Sequence, residues 1–490
     1  MDANALRMAL GQWDRGAGRP AVQLVVALSG LIEQGRLPPG TPLPAERRLA
    51  EALDISRGTV VRAFATLRED GLVTTRHGAG TIVRGSTTRG AQLDGSLSLD
   101  ASVAALVTDA PTPGGGDDVI DLRTAAWRGE RGLLSTLRSW EPEDLADIGE
   151  SDNGYWPLGL PVLRRAIADR LNGLGLQTEP EQILVTNGAQ QALDVALTTL
   201  ASPGDDVVVA EVTWPGIREL LAVRGMRPAA VSLDRAGAID QVELLRTLRQ
   251  GRAPVGYLVP SFDNPTGVLM PAPVRRLVVE AAQASGTILI DDVTMHELWI
   301  DAPPPVPLAA SLPGGGGQVV TVGSLSKVSW AGLRLGWIRA EGALLDRLGR
   351  VKTVLDFGTS VPSQLAALSV MRQLDELVAR YRRELQIRRD AALEAFAEQL
   401  PDWTVTRPEG GMTMWAHLGG MASDPFVATA ADHGVRLVPG RIYHALGHDT
   451  GHIRLTLAYD VETTREAVRR LARATADHLG RHRGRRIALV

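Results

Sequence analysis

The chain contains no cysteine. Disulfides, thiolate nucleophiles and cysteine-ligated zinc or iron–sulfur centres are therefore excluded. No run of about 18 apolar residues occurs, so no transmembrane helix and no membrane partner are expected. The opening residues, MDANALRMALGQWD, lack a basic stretch followed by an apolar one. No signal peptide is expected, and the expected location is the cytoplasm. Lysine is almost absent too. Of 52 basic residues, only Lys327 and Lys352 are lysine. Arginine serves wherever positive charge alone suffices, but its guanidinium stays protonated and cannot form an imine. Each remaining lysine is a candidate for amine chemistry, set against chance survival.

What is present is ordinary for a soluble globular protein: 490 residues, 44% hydrophobic and 22% charged. The length suits about three domains, or two. The net charge of −4 is unevenly spread, because residues 1–85 hold 11 Arg against 8 Asp plus Glu. A basic first segment on an acidic body points to a polyanion partner for that segment alone.

Residues 21–35 (AVQLVVALSGLIEQG) have apolar residues at helical spacing and end at a glycine. PPGTPLP breaks the chain, PAERRLAEAL reads as a short helix and DIS as a tight turn. Ser56 suits the N-cap of a helix over SRGTVVRAFATLREDG, with Val60, Phe64 and Leu67 on one side and Thr59, Arg62 and Thr66 on the other. LVTTRHGAGTIVR predicts a hairpin tipped by His77 and glycines. This order is a winged helix-turn-helix. Arg57, Thr59 and Arg62 would face phosphates and guanine edges in the major groove, Arg47 and Arg48 would meet phosphates, and His77 would sit on the wing. A solvated charged face is the alternative. The segment PLPAERRLAEALDISRGTVVRAFATLREDGLVTTRHGAGTIV resembles the winged-helix domain of GntR-family bacterial regulators over about residues 20–85. The resemblance implies DNA contacts at Arg47, Arg57, Thr59 and His77. It departs at Val61, where some relatives place a second recognition arginine.

Residues 86–117 are polar and rich in Gly and Ser, and read as a flexible linker, with a short helix at SVAALV. Such a chain averages about 30 Å end to end. From about 118 onward, β-branched runs (ILVTNG, DDVVVAEV, VGYLVP, TILIDD, QVVTVG) alternate with helical patterns. An α/β fold with a mostly parallel sheet and helices on both faces is predicted. Long Arg- and Leu-rich helices follow after about 340, then GGMTMWAHL and HIRLTLAY, read as strands of a smaller α+β subdomain.

The second body carries its own chemistry. Lys327, in GSLSKVSWAGLRLGWI, follows a strand and lies between two serines and a GLRLG turn. A Schiff-base lysine needs a phosphate site beside it to anchor an aldehyde cofactor, and Ser324, Ser326 and Arg334 are suitable donors. The bland reading is a surface lysine. Asp291 ends the strand TILID, where a carboxylate can keep a pyridine nitrogen protonated, or can be a cap or a metal ligand. The amide of Asn264, in DNPTG, can donate to a phenolate oxygen, though NPTG alone reads as a turn. Gly188, Ala189 and Gln190 open a helix whose backbone amides can bind phosphate. Trp214 can stack on a pyridine ring or fill a core. Arg454 can hold a carboxylate bidentately or form a structural ion pair.

In order, Tyr155 with PLG, NGAQ, EVTWPG, NPTG, Asp291, SLSK with GLRLG, and RL at 454 resemble the fold-type I (class I) aminotransferases over about residues 118–480. The resemblance implies pyridoxal 5'-phosphate as cofactor and an internal aldimine at Lys327. It implies Asp291 on the pyridinium, Asn264 on the 3′-oxygen and Trp214 on the ring. Gly188, Ala189, Gln190, Ser324 and Arg334 would hold the phosphate, and Arg454 the substrate α-carboxylate. Tyr155 would reach the phosphate of the neighbouring subunit, so a dimer is implied. The family usually has a Tyr three residues after the aspartate; here Thr294 stands there, which bears on aldimine tuning and turnover. A GntR-type reader joined to an aminotransferase-like body resembles the MocR subfamily. That resemblance implies a head-to-tail homodimer that binds promoter DNA and senses pyridoxal phosphate or an amino compound at Lys327. Two alternatives stay open: a working aminotransferase with an accessory DNA-binding domain, and a cofactor-binding repressor with no amino-acid effector.

Overall fold

The computed structural model describes residues 3–10, 13, 20–33, 37, 41–69, 73–76, 80–83, 119–127, 148 and 153–487, less 235, 314, 449 and 450. The chain divides into two units, Met1–Ala101 and Ser102–Val490. The expected linker 86–117, with its SVAALV helix, and the wing residue His77 lie outside the described residues.

In the first unit the helical spacing becomes α1 (Ala3–Leu10), α2 (Pro20–Glu33), α3 (Glu46–Leu53) and α4 (Arg57–Glu69). An antiparallel hairpin follows, β1 (Val73–Arg76) and β2 (Gly80–Val83). The chain reverses between α3 and α4 at Asp54, whose φ of 55° is left-handed, a conformation that Asp tolerates better than most residues. Leu24, Leu28, Leu49, Val60, Phe64 and Leu67 make the core, as the apolar spacing predicts. Helix α1 has no counterpart in the sequence reading. It is too short to be stable alone, and its Leu6 and Leu10 belong to that same core, so packing rather than propensity forms it.

In the second unit, β3 (Ile120–Asp121) precedes α5 (Pro161–Gly173), β4 (Ile183–Thr186), α6 (Ala189–Leu200), β5 (Asp206–Ala210), α7 (Pro215–Val223) and β6 (Arg227–Val231). Then come α8 (Gln241–Arg249), β7 (Val255–Leu258), α9 (Ala272–Ser285), β8 (Ile288–Asp292), β9 (Val319–Ser324) and β10 (Gly336–Arg339). These strands form one sheet in the order β4-β10-β9-β8-β7-β5-β6. All neighbours are parallel except β10, which is antiparallel to both β4 and β9. Both faces are covered, which is why the strands read as unbroken apolar runs. Successive residues of β8 serve opposite faces. Leu289 packs with Leu244 and Val278 of α8 and α9 on one side, and Ile290 with Leu193 and Leu221 of α6 and α7 on the other.

The chain continues through α10 (Gly342–Asp356), α11 (Val361–Met371) and the long α12 (Leu374–Gln399). A smaller antiparallel sheet follows, as expected from GGMTMWAHL and HIRLTLAY: β11 (Thr404–Val405), β12 (Thr413–His417) and, after α13 (Ser423–Asp432) and β13 (Val435–Arg436), β14 (His452–Thr456). β13 pairs with β3, and α14 (Val461–Ile487) ends the fold. No helix among the described residues is long and apolar enough to cross a membrane.

Candidate functional site

Strand β9 ends at Ser324, and a single 3₁₀ turn delivers Lys327. Its Nζ donates to the Ala125 carbonyl at 2.6 Å, while its own carbonyl accepts from Trp127 Nε1 at 2.8 Å. Trp127 is itself stacked on Tyr381, with ring centroids 4.2 Å apart. Burial, with the positive charges of Arg454 and Arg334, outweighs the attraction of Asp292 and lowers the amine pKa to about 8. A lysine so placed is a far better nucleophile near neutral pH than a solvated one.

The carboxylate that acts on this amine is Asp292; the sequence pointed to its neighbour Asp291, as the partner of a cofactor's ring nitrogen. Asp292 follows Ile290 on the α6 side of β8; its Oδ2 accepts from Tyr257 Oη at 2.9 Å and its Oδ1 from the Thr294 amide at 3.0 Å. Burial raises its pKa, and those hydrogen bonds together with Lys327 pull it back down. Asp291 follows Leu289 to the opposite face. There it accepts from the Leu308 amide at 2.8 Å, and the buried guanidinium of Arg275 balances its charge. Burial raises the Asp291 pKa to about 7. The pleat is the reason: adjacent carboxylates on one strand cannot share a face. Thr294 serves Asp292 with its amide and hydroxyl.

The loop after β7 brings Asp263, Asn264 and Thr266 into the interior. Among the described residues, Asp263 Oδ1, Asn264 Oδ1 and Thr266 Oγ1 are buried without a hydrogen-bond partner. Burial raises the Asp263 pKa to about 8. Trp214 precedes α7 and donates to Gln190 Oε1 at 3.3 Å, packing half-buried between two apolar clusters.

Gly188 (φ 81°) caps α6, and Ala189 and Gln190 start its first turn. The exposed Arg334 lies beside them in the left-handed region (φ 52°), and its Nη2 donates to the Asn187 carbonyl at 3.3 Å. A Cβ on Gly188 would come within 2.8 Å of that Nη2. A helix N-terminus beside a guanidinium is the donor set that binds a phosphate-sized anion. Ser324 is committed elsewhere: its hydroxyl lies 2.8 Å from the Leu335 carbonyl and 3.0 Å from Ser326 Oγ, and it accepts from the Ser326 amide at 3.1 Å.

Arg454, on β14, is almost fully buried and donates to the Arg123 carbonyl, with its guanidinium over the Tyr443 ring at 5.4 Å. Among the described residues its Nε has no hydrogen-bond partner. Tyr155 stands apart from these groups, largely exposed, with Phe357 at 5.9 Å between ring centroids.

On the first unit, Arg47, Arg48, Arg57 and Arg62 are exposed. Arg47 pairs with Glu51 at 3.3 Å and Arg57 with Glu46 at 3.5 Å. Thr59 differs from its expected outward position. It is buried, its hydroxyl lies 2.8 Å from Ser56 Oγ, and its amide donates to that oxygen at 3.1 Å. A Thr on the first turn can fold back onto the cap, and here the cap claims it.

Residues 117–471 match the family described as aminotransferase class I and II. The chain belongs to that family. Residues 20–83 match the bacterial regulatory proteins of the gntR family, so this aminotransferase-family chain carries a GntR domain ahead of its class I body, which is the MocR architecture. HTH-type transcriptional regulator YdfD of Bacillus subtilis (strain 168) is 28% identical over 456 residues, covering 89% of this chain and 92% of that one. HTH-type pyridoxine biosynthesis transcriptional regulator PdxR of Corynebacterium glutamicum is 27% identical over 450 residues, covering 90% and 93%. The body of this aminotransferase-family chain is similar to LysN, the α-aminoadipate aminotransferase of Thermus thermophilus complexed with N-(5'-phosphopyridoxyl)-L-leucine. The TM-score is 0.67 at 28% identity, over 74% of this chain and 94% of that one.

Sequence reasoning missed Asp292, Tyr257, Trp127 and the surroundings of Lys352. Strand alternation would have pointed to Asp292 had the face of β8 been known. Lys352 had a signal of its own, as one of two lysines.

Proposed function

We propose that this protein is a transcriptional regulator that holds pyridoxal 5'-phosphate at Lys327 and senses that cofactor or an amino compound there. Residues 1–85 read double-stranded promoter DNA, 86–117 link, and 118–490 bind the cofactor and pair two copies into a homodimer, head to tail. The observation that carries the reading is the convergence on one buried, activated amine of a carboxylate, an anion cradle and a buried arginine with an unpartnered Nε among the described residues.

The residues present fit the cofactor. The buried oxygens around Asn264 lack partners among the described residues, and the start of α6 with Arg334 beside it offers the donors that an anion needs. When bound, the cofactor supplies an aldehyde that condenses with amines and a ring that withdraws electrons. Lys327 offers the amine, free of its proton in a larger fraction than an ordinary lysine. Asp292, pinned by Tyr257 and Thr294, holds negative charge beneath it and takes the role that the sequence suggested for Asp291. The first-turn amides of α6 (Ala189, Gln190), the Gly188 cap and Arg334 would hold the phosphate, with Ser326 nearby. Asn264 would serve the phenolic oxygen and Trp214 the ring. Arg454 receives an effector carboxylate. Tyr155, exposed on its own protomer, reaches the neighbour's cofactor. Arg47, Arg48, Arg57 and Arg62 meet DNA phosphates and base edges, with His77 on the wing.

The test is a gel shift on the neighbouring promoter with and without pyridoxal phosphate, run beside a visible absorbance titration. Specific, cofactor-dependent shifts and a visible band that vanishes in Lys327→Ala are expected. A band without any specific shift, together with amino-group transfer to a keto acid at about 1 s⁻¹ or faster, would establish the enzyme reading instead.

A further inference from the structure

The second lysine is not at the surface. Lys352 lies inside α10 with no side-chain exposure, and its Nζ donates to Asp356 Oδ1 at 2.7 Å and Oδ2 at 2.9 Å. Asp356 is the last residue of α10. A carboxylate there faces the negative end of the helix dipole, which disfavours it. A buried ion pair on one helix is also no better for stability than apolar residues of the same size. Helix stability therefore does not account for the pair.

Its other contacts do. Asp356 Oδ2 accepts from Asn187 Nδ2 at 2.8 Å and from Gln191 Nε2 at 2.7 Å, while Oδ1 accepts from the Gly358 amide at 3.0 Å. Gln191 Oε1 in turn accepts from the Asn187 amide at 2.7 Å, and the Asn187 carbonyl accepts from Arg334. Apart from the Gly358 bond, these contacts converge on the turn that leads into α6 and on its first turn. The network fixes the Asn187–Gly188 turn from behind, and Arg334 closes it from the front.

We propose that Lys352 and Asp356 are positioning residues for the phosphate cradle: they hold the Asn187–Gly188 turn and Gln191 so that the α6 amides and Arg334 converge on one anion. The proposal rests on the cofactor assignment above. It goes further in predicting that the pair acts on the phosphate and not on the aldehyde.

That difference makes the test. Full-length protein is titrated by visible absorbance with pyridoxal phosphate and, separately, with pyridoxal, which carries the aldehyde but no phosphate. Lys352→Met, which keeps the volume and removes the charge, is expected to weaken pyridoxal phosphate binding about tenfold and pyridoxal binding less than about twofold. Gln191→Leu removes two bonds of the network without stranding a charge, and is expected to show the same selectivity at smaller size. It stands in if Lys352→Met does not fold. Equal losses for the two vitamers, or no loss, would overturn the positioning role. A wild-type protein that gives no visible band with either vitamer would overturn the cofactor assignment itself, and this proposal with it.

Discussion

A composition that has exchanged nearly every lysine for arginine keeps two, and both amines hydrogen-bond within the protein. Lys327 turns its amine to the Ala125 carbonyl, and Lys352 pairs with Asp356. Arginine could not replace the first, because it does not give up its proton. With its pKa lowered from 10.5 to about 8 by burial, Lys327 should capture an aldehyde at a rate that rises about tenfold per pH unit below 8 and levels above it. Stopped-flow absorbance checks this. The linked effect on stability has the opposite origin but the same sign. Between pH 8 and 10.5 the unfolded chain binds a proton that the folded chain has released, so this residue makes folding more favourable as pH rises through that window. The two aspartates separate cleanly by experiment. Asp291→Asn removes the carboxylate charge that acts on buried Arg275 and should lower stability while the visible band survives. Asp292→Asn should leave the unfolding midpoint nearer wild type and alter the band. Thermal unfolding and absorbance on the same samples read both.

Among elements, legibility follows burial. Strands β4, β5, β7, β8 and β9 are apolar on both faces, and each is readable as a run. β6 is not: it is an edge strand containing Pro228, which a ladder tolerates only there. β10 is hidden because its four residues start at the last glycine of GLRLG and run against their neighbours. The same two-sided burial conceals which face Asp291 and Asp292 serve, since no polar alternation marks the faces. In the first unit α2, α3 and α4 and the core side of α4 are readable from spacing, and so is the Ser56 cap; α1 is not. The inward turn of Thr59 is not, because a helical wheel records angle and not the pull of a nearby cap. Ser56→Ala should lower stability by about 1 kcal/mol and weaken DNA binding, since the start of α4 then frays. Calorimetry and a gel shift measure the two effects.

For the whole molecule, DNA affinity should fall with salt, because exposed arginines displace counterions from phosphates. Arg62→Ala should reduce the slope of log affinity against log salt by about 0.9 if Arg62 meets a phosphate, and leave it unchanged if it reads only a base edge. Fluorescence anisotropy over a salt series decides between them. If copies pair as proposed, the exposed apolar side chains of Tyr155, Val354, Leu355 and Phe357, close in sequence to Asp356 or in ring contact with Phe357, are the surface to test. Phe357→Asp should shift sedimentation from dimer toward monomer and weaken cofactor retention with it.

Gly336 packs its backbone so tightly against the turn below α6 that a Cβ there would come within 2.6 Å of the Gly188 carbonyl carbon. Anyone refashioning this protein as a biosensor for a bulkier ligand would find that wall immovable. Libraries aimed at a bulkier ligand belong on the Tyr443 side, beside Arg454, and not at this turn.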